Sequence, residues 1–208
     1  MLGLPATLCL IGCKVVSLAE DRKLRARHGE ALNPDRYVGR IWTTRVLPQL
    51  LAAAVPFDVL QAAIAADVDG AGAAYGRRAT DTSPWTFVAK GAGRVASIDR
   101  QTPSGSIEID VGRSGLAMDV GPVIVTTAIR DALPFISFND FADQISYAGV
   151  GTALTRRALQ DNAWVLQQLG VGSQVSFLGA CNIASANQPI RMTPVLVRRE
   201  PQASTPNA

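Results

Sequence analysis

The spacing of apolar residues changes once along this chain, and this change constrains the fold more than any other feature. Between residues 33 and 80, apolar side chains such as Tyr37, Ile41 and Trp42 recur at helical spacing, whereas residues 106–111 alternate between apolar and polar side chains. The first period is typical of amphipathic helices and the second of half-buried strands. The sequence therefore predicts an α+β fold in which a small N-terminal helical subdomain precedes a β domain.

Local signals define the helical part. Asn33 and Pro34 are typical of a helix start, with Asn as the cap and Pro at the first helical position. Pro48 is expected to kink or interrupt this helix because proline lacks the backbone N–H. A second helix is expected over 57–64 and a short third one over 73–76. We expect Trp42, on the first of these helices, to pack against the β domain.

The β domain contains several short strand patterns and one amphipathic helix. The strands are expected over 86–91, 94–98, 106–111, 123–126, 174–178 and 193–197, and the helix over 152–169. Such a set predicts a five-stranded, OB-like β barrel, of the oligonucleotide/oligosaccharide-binding type, with an additional amphipathic helix. The predicted organisation is a lipoprotein signal peptide (1–12), a tether (13–32), the helical subdomain (33–80), the barrel domain (81–200) and a disordered tail (201–208).

The first thirteen residues predict a membrane anchor. Residues 1–12 are uncharged and mostly apolar, but Lys14 follows at once, so the run is too short to span a bilayer and has the length of a signal-peptide core. Leu10-Ile11-Gly12-Cys13 has the order of a bacterial lipobox, in which the cysteine thiol is lipidated. We therefore predict a protein of the periplasm or cell surface that is anchored to a bacterial membrane by lipid on Cys13. The alternative is a buried N-terminal strand or helix that contains a cysteine.

Composition excludes several kinds of function. Twenty Lys and Arg against seventeen Asp and Glu leave a net charge of only +3, which does not indicate a nucleic-acid partner. A single histidine, His28, argues against most zinc sites and against histidine acid–base catalysis. No nucleotide-binding or other cofactor motif is complete, so no cofactor is predicted. The pairs Gly70/Gly72 and Gly149/Gly151 are interpreted as turns, and Cys181, in an apolar stretch, as a buried residue.

The most distinctive stretch, residues 121–148, mixes aromatic rings with charged and amide side chains, as a ligand pocket or partner groove requires. The candidate binding residues are Arg130, Asp131, Phe135, Asn139, Asp140 and Phe141. The alternative is a core linker in which Arg130 and Asp131 satisfy buried groups. Asp140 also matches a capping box that begins at Ser137. We expect Arg130 and Asp131 to be structural, and Asn139 and Asp140 to be exposed and functional.

Several short stretches resemble a known family. They are Tyr37-Val38, Ile41-Trp42, Val46-Leu47-Pro48, Tyr75-Gly76-Arg77, Phe87-Val88-Ala89-Lys90-Gly91, the segment 121–148 with its most specific part from Arg130 to Phe141, and Thr193-Pro194-Val195. Together they resemble the predicted periplasmic lipoprotein family called domain of unknown function 2291, over about residues 13–199. The resemblance implies a helical subdomain joined to an OB-type barrel, in a family whose genes often lie beside ribose-type sugar ABC transporter genes. It implies no reaction.

Three functional hypotheses follow. The first is a non-enzymatic, lipid-anchored periplasmic protein that assists carbohydrate uptake by binding a small carbohydrate or a component of a sugar ABC transporter. The second is an enzyme that acts on a sugar or envelope glycan through Asp131, Asp140 or Asp143. The third is a purely structural envelope lipoprotein. Replacing Asp140 by Asn should abolish turnover in an enzyme and only weaken affinity in a binding protein.

Overall fold

The computed structural model of the chain describes residues 33–141 and 143–201. The expected signal peptide, Cys13, the tether and the tail beyond Pro201 lie outside the described residues. Within the described part there are six α-helices: α1 (Pro34–Ile41), α2 (Leu47–Ala53), α3 (Phe57–Ala66), α4 (Val68–Tyr75), α5 (Ala128–Asp131) and α6 (Gln144–Gln168). The strands are β1 (Val55–Pro56), β2 (Trp85–Asp99), β3 (Ser106–Val111), β4 (Ser114–Asp119), β5 (Gln174–Ile183) and β6 (Arg191–Arg199).

Five of these strands close into the expected barrel. The order β2-β3-β4-β6-β5 returns to β2 through an additional pairing between β2 and β5, and the two-residue β1 pairs outside this ring. The ring closes most weakly between β4 and β6, where only Ala117–Arg191 and Met118–Met192 pair, in parallel. The two strands expected over 86–91 and 94–98 are a single strand, β2, because its first part pairs with β5 and its last part with β3.

The barrel strands separate two cores. Alternate residues of β2 point to opposite faces: Phe87 and Ala89 belong to the cluster that fills the barrel, whereas Val88 belongs to a second cluster outside it. The second cluster joins the outer barrel face to the N-terminal helices, since it contains both Trp42 and Val195 of β6. Trp42 is 1% exposed, so the expected packing of this residue on the barrel is confirmed.

The first helix begins and is interrupted as expected. The Asn33 side chain caps α1 by accepting a hydrogen bond from the backbone N–H of Arg36 at 3.1 Å, with Pro34 in the first turn. Just before Pro48 the helix widens into a π-helical turn, Trp42–Val46, and α2 follows. The missing N–H of Pro48 accounts for this interruption because it removes a regular helical hydrogen bond.

Four local predictions are wrong. The third helix, expected over 73–76, is α4, which begins five positions earlier, at Val68. The segment 123–126 forms no strand, and Val125 in it is 96% exposed. The pairs Gly70/Gly72 and Gly149/Gly151 lie inside α4 and α6 rather than in turns. Close packing explains Gly72, because a Cβ there would lie 2.1 Å from atoms of the Trp85 ring. The long helix α6 also begins eight positions earlier than the expected 152, at Gln144.

Candidate functional site

A groove of about 660 Å³ lies where two separate stretches of the chain meet. One side is the segment that follows α4, and the other runs from the end of α5 to the first turns of α6. We call it the arginine groove; it is lined by Arg77, Arg78, Ala79, Thr80, Asp131, Leu133, Pro134, Ile136, Ser137, Phe138, Gln144 and Tyr147. Its volume is within the range of about 300–1,000 Å³ that is usual for small-molecule sites.

A backbone bridge places the two arginines at the groove. Arg77 pairs with Thr86 of β2 through two backbone hydrogen bonds, of 2.9 and 2.7 Å. The guanidinium of Arg78 lies over the Trp85 ring, 4.3 Å from its centroid. These contacts fix a short loop against the barrel. The local sequence pattern did not indicate these arginines as site residues, because the bridge that positions them joins positions nine residues apart.

Arg130 and Asp131 form an ion pair beside the groove. Nε and Nη2 of Arg130 donate to Oδ1 of Asp131 at 2.8 and 2.7 Å, and the hydroxyl of Thr127 donates to the other carboxylate oxygen. The two side chains are only 11% and 16% exposed. Arg130 also lies over the Tyr147 ring, 3.9 Å from its centroid. Such contacts agree with the structural role expected for both residues. Asp131 also lines the groove.

Aromatic rings form one wall of the groove. Phe138 is half exposed and meets Tyr147 edge-on, with ring centroids 5.7 Å apart. Burial raises the pKa of Tyr147, and the Arg130 cation only partly offsets this effect. The hydroxyl of Tyr147 therefore stays protonated near neutral pH. The wall offers an apolar ring face beside hydroxyl and amide groups.

The other predicted aromatic residues lie outside this lining. Phe141 is buried in the second core, between Tyr37 and Tyr147, with centroid distances of 6.0 and 5.6 Å. Phe135 is partly buried and carries the guanidinium of Arg45 over its ring at 4.1 Å. The structure thus brings Arg130, Asp131 and Phe141 together around Tyr147, and it places Phe135 against a different helix.

Asn139 and Asp140 are exposed, as expected, and belong to a short 3₁₀ turn, Phe138–Asp140. Asp140 completes the capping box predicted for this position, because its carboxylate accepts from the backbone N–H of Ser137 at 2.9 Å. Neither residue is part of the groove lining. Their predicted role in binding therefore remains a prediction, while the capping role of Asp140 is confirmed.

The carboxylates considered for catalysis have structural partners. Asp143 caps α6 by accepting from the backbone N–H of Ser146 at 2.7 Å, and these hydrogen bonds lower its pKa. A lowered pKa keeps Asp143 ionised, which is the opposite of what a general acid needs near neutral pH. Asp131 is paired with Arg130 and Asp140 caps its own turn. Each of the three carboxylates considered for catalysis is therefore held by a structural contact.

Residues 33–141 and 143–201 contain no group of three or more His, Cys, Asp or Glu side chains placed to hold a metal ion. In the same residues, no helix is long and apolar enough to cross a membrane. Cys181 lies in the barrel core, where burial raises the pKa of its thiol to about 12. It is therefore the inert, buried cysteine that its sequence context predicts.

The comparisons with known proteins identify the family. A family model described as "Predicted periplasmic lipoprotein (DUF2291)" matches residues 4–198, so the chain belongs to this family. The expected family and the periplasmic, lipid-anchored location are thereby confirmed. The matched residues include Cys13, but lipidation at that residue stays a prediction. No curated protein matches the chain significantly.

Solved structures support the fold. An OB-fold protein from Thermotoga maritima superposes with a TM-score of 0.66 at 15% identity, over 82% of this chain and 99% of that one. This similarity confirms the OB-like fold. It carries no information on function. An OBody bound to hen egg-white lysozyme matches at 11% identity over 65% of this chain and 89% of its own, with a TM-score of 0.32. A similarity at that level adds nothing to the assignment.

Proposed function

We propose that this lipoprotein is a non-enzymatic binding protein that assists carbohydrate uptake, and that the arginine groove holds a small carbohydrate. The observation that carries the proposal is the half-exposed Phe138 ring in a groove whose lining also contains hydroxyl, amide and charged side chains. Sugars combine an apolar ring face with many hydroxyl groups, so they bind where an aromatic surface lies beside hydrogen-bonding side chains.

The surrounding contacts favour a site that is formed before the ligand arrives. Arg78 is held by Trp85, and the Arg77 backbone is held by β2. On the other wall, Tyr147 is fixed by Arg130 and by two phenylalanine rings. Side chains that are already ordered lose little conformational entropy on binding.

The test is isothermal titration calorimetry with the full-length lipoprotein in a detergent that has no sugar headgroup. Pentoses and hexoses are titrated into the wild type, into Phe138→Ala, and into Trp164→Ala as the matched control. Trp164 is an exposed aromatic residue on α6 that does not line the groove. We expect binding by the wild type and the control, and about tenfold weaker binding by Phe138→Ala, equivalent to about 1.4 kcal/mol.

Two results would contradict the proposal. If Phe138→Ala and the wild type bind every sugar equally, the groove is not the site. If the wild type binds no sugar but binds the periplasmic component of a sugar ABC transporter, the protein acts through a partner instead. Analysis of each sugar by NMR after incubation tests the enzymatic alternative, because unchanged sugar is expected of a binding protein and a new product would indicate an enzyme.

A further inference from the structure

The charged residues that line the arginine groove are Arg77, Arg78 and Asp131. The carboxylate is already engaged, because Asp131 accepts two hydrogen bonds from Arg130 and one from Thr127. Its negative charge is therefore balanced from outside the groove. The other charged residues of the lining are the two arginines.

The guanidinium of Arg78 is engaged by residues outside the arginine groove. Its guanidinium lies 3.7 Å from the carboxylate of Asp69 and 3.4 Å from that of Asp81, and these acidic side chains are 82% and 99% exposed. Both aspartates line a neighbouring cavity and not the arginine groove. The guanidinium also lies over Trp85 of that cavity, so the cation left for a ligand in the arginine groove is that of Arg77.

The guanidinium of Arg77, in contrast, is available to bind a ligand. No carboxylate in residues 33–141 or 143–201 lies within ion-pair distance of its guanidinium. The side chain is exposed while its backbone is fixed by the bridge to Thr86. A fixed backbone with an unengaged guanidinium is suited to receive an anion, because the planar fork of donors matches the oxygens of a carboxylate or phosphate.

We infer that the arginine groove recognises a sugar that carries an acidic group, with that group on Arg77 and the sugar ring on Phe138. This inference rests on the proposed function and adds the class of ligand. The groove volume of about 660 Å³ favours a small molecule over an acidic protein segment, since specific protein–protein contacts need a much larger surface.

The experiment compares matched sugars in calorimetry with the full-length lipoprotein. Glucose and galactose are the neutral ligands, glucuronate and galacturonate are the carboxylates, and glucose 6-phosphate supplies the phosphate. The variants are Arg77→Gln and the control Arg113→Gln, which removes the same charge from an exposed turn residue outside the groove. We expect the wild type and Arg113→Gln to bind an acidic sugar at least about tenfold more tightly than its neutral counterpart.

Arg77→Gln should lose this preference and bind neutral and acidic sugars alike. Preference for the uronates or for glucose 6-phosphate decides whether the acidic group is a carboxylate or a phosphate. Equal binding of neutral and acidic sugars by the wild type would overturn the inference and leave the proposed function intact. Binding of no sugar at all would overturn both. An acidic preference that Arg77→Gln and Arg113→Gln reduce equally would show a general charge effect rather than recognition in the groove.

Discussion

The two halves of the segment 128–140 each contain one phenylalanine and one aspartate, and they have opposite environments. The buried half, residues 128–136, contributes Ala128, Ile129, Ala132, Leu133 and Ile136 to the second core and neutralises its own charges through the Arg130–Asp131 pair. The exposed half, residues 137–140, presents every side chain to solvent and caps itself through Asp140. Aromatic and charged residues in one short segment therefore do not indicate by themselves which residues bind and which support. The contacts of each side chain in the folded protein show whether it supports the core or is available to a ligand.

The largest expected effect tests the buried half. Leu133 is 1% exposed and packs in the second core. Leu133→Ala should lower the free energy of unfolding by about 2–5 kcal/mol, because it removes buried apolar contacts and leaves a cavity. Chemical denaturation measures the change. A loss below about 0.5 kcal/mol would show that the buried half is not part of the core.

A smaller loss is expected when the ion pair is broken. Arg130→Ala leaves the largely buried Asp131 carboxylate without its main partner, and it removes the cation from the Tyr147 ring. The expected loss of stability is about 1–3 kcal/mol. Arg77→Ala is the matched control, since Arg77 is exposed, and its effect should stay within about 0.5 kcal/mol. Equal melting temperatures of the two variants would contradict a structural role for Arg130.

Sequence periodicity was sufficient for the class of fold because it reports which face of each element is buried. The start of α1 at Asn33, the interruption at Pro48 and the burial of Trp42 follow from local chemistry and from that periodicity. The segment 123–126 shows the limit of this reasoning. An apolar run is compatible with a strand, but only a partner strand makes it one, and the sequence does not specify the partner.

The candidate site was predictable in part for a related reason. Residues 130–147 are continuous along the chain, so their composition alone indicates one wall of the groove as a candidate site. The opposite wall, Arg77 and Arg78, reaches the groove through a bridge to β2. That contact depends on tertiary structure, and a pair of arginines after a helix is otherwise typical of a solvated surface.

A smaller loss of stability than for Arg130→Ala is expected when the capping box at Asp140 is broken. Asp140→Ala removes the acceptor for the Ser137 backbone N–H, so it should cost about 0.5–2 kcal/mol of stability. Asp140→Asn keeps an oxygen acceptor and should cost less. Thermal melting of the two variants measures the difference. If the Asn variant is as unstable as the Ala variant, the negative charge rather than the hydrogen bond matters at this position.

The smallest effect on stability is expected at Asn139. Its replacement tests whether the exposed half contributes to ligand binding. Asn139 is exposed and no hydrogen bond of its side chain to residues 33–141 or 143–201 is formed, so Asn139→Ala should change the free energy of unfolding by less than about 0.5 kcal/mol. Sugar affinity is the informative measurement. If the exposed half extends the groove, affinity should fall although the melting temperature does not, because a ligand contact is lost. Unchanged affinity, with Phe138→Ala weakened, would confine binding to the groove lining and remove Asn139 from the site.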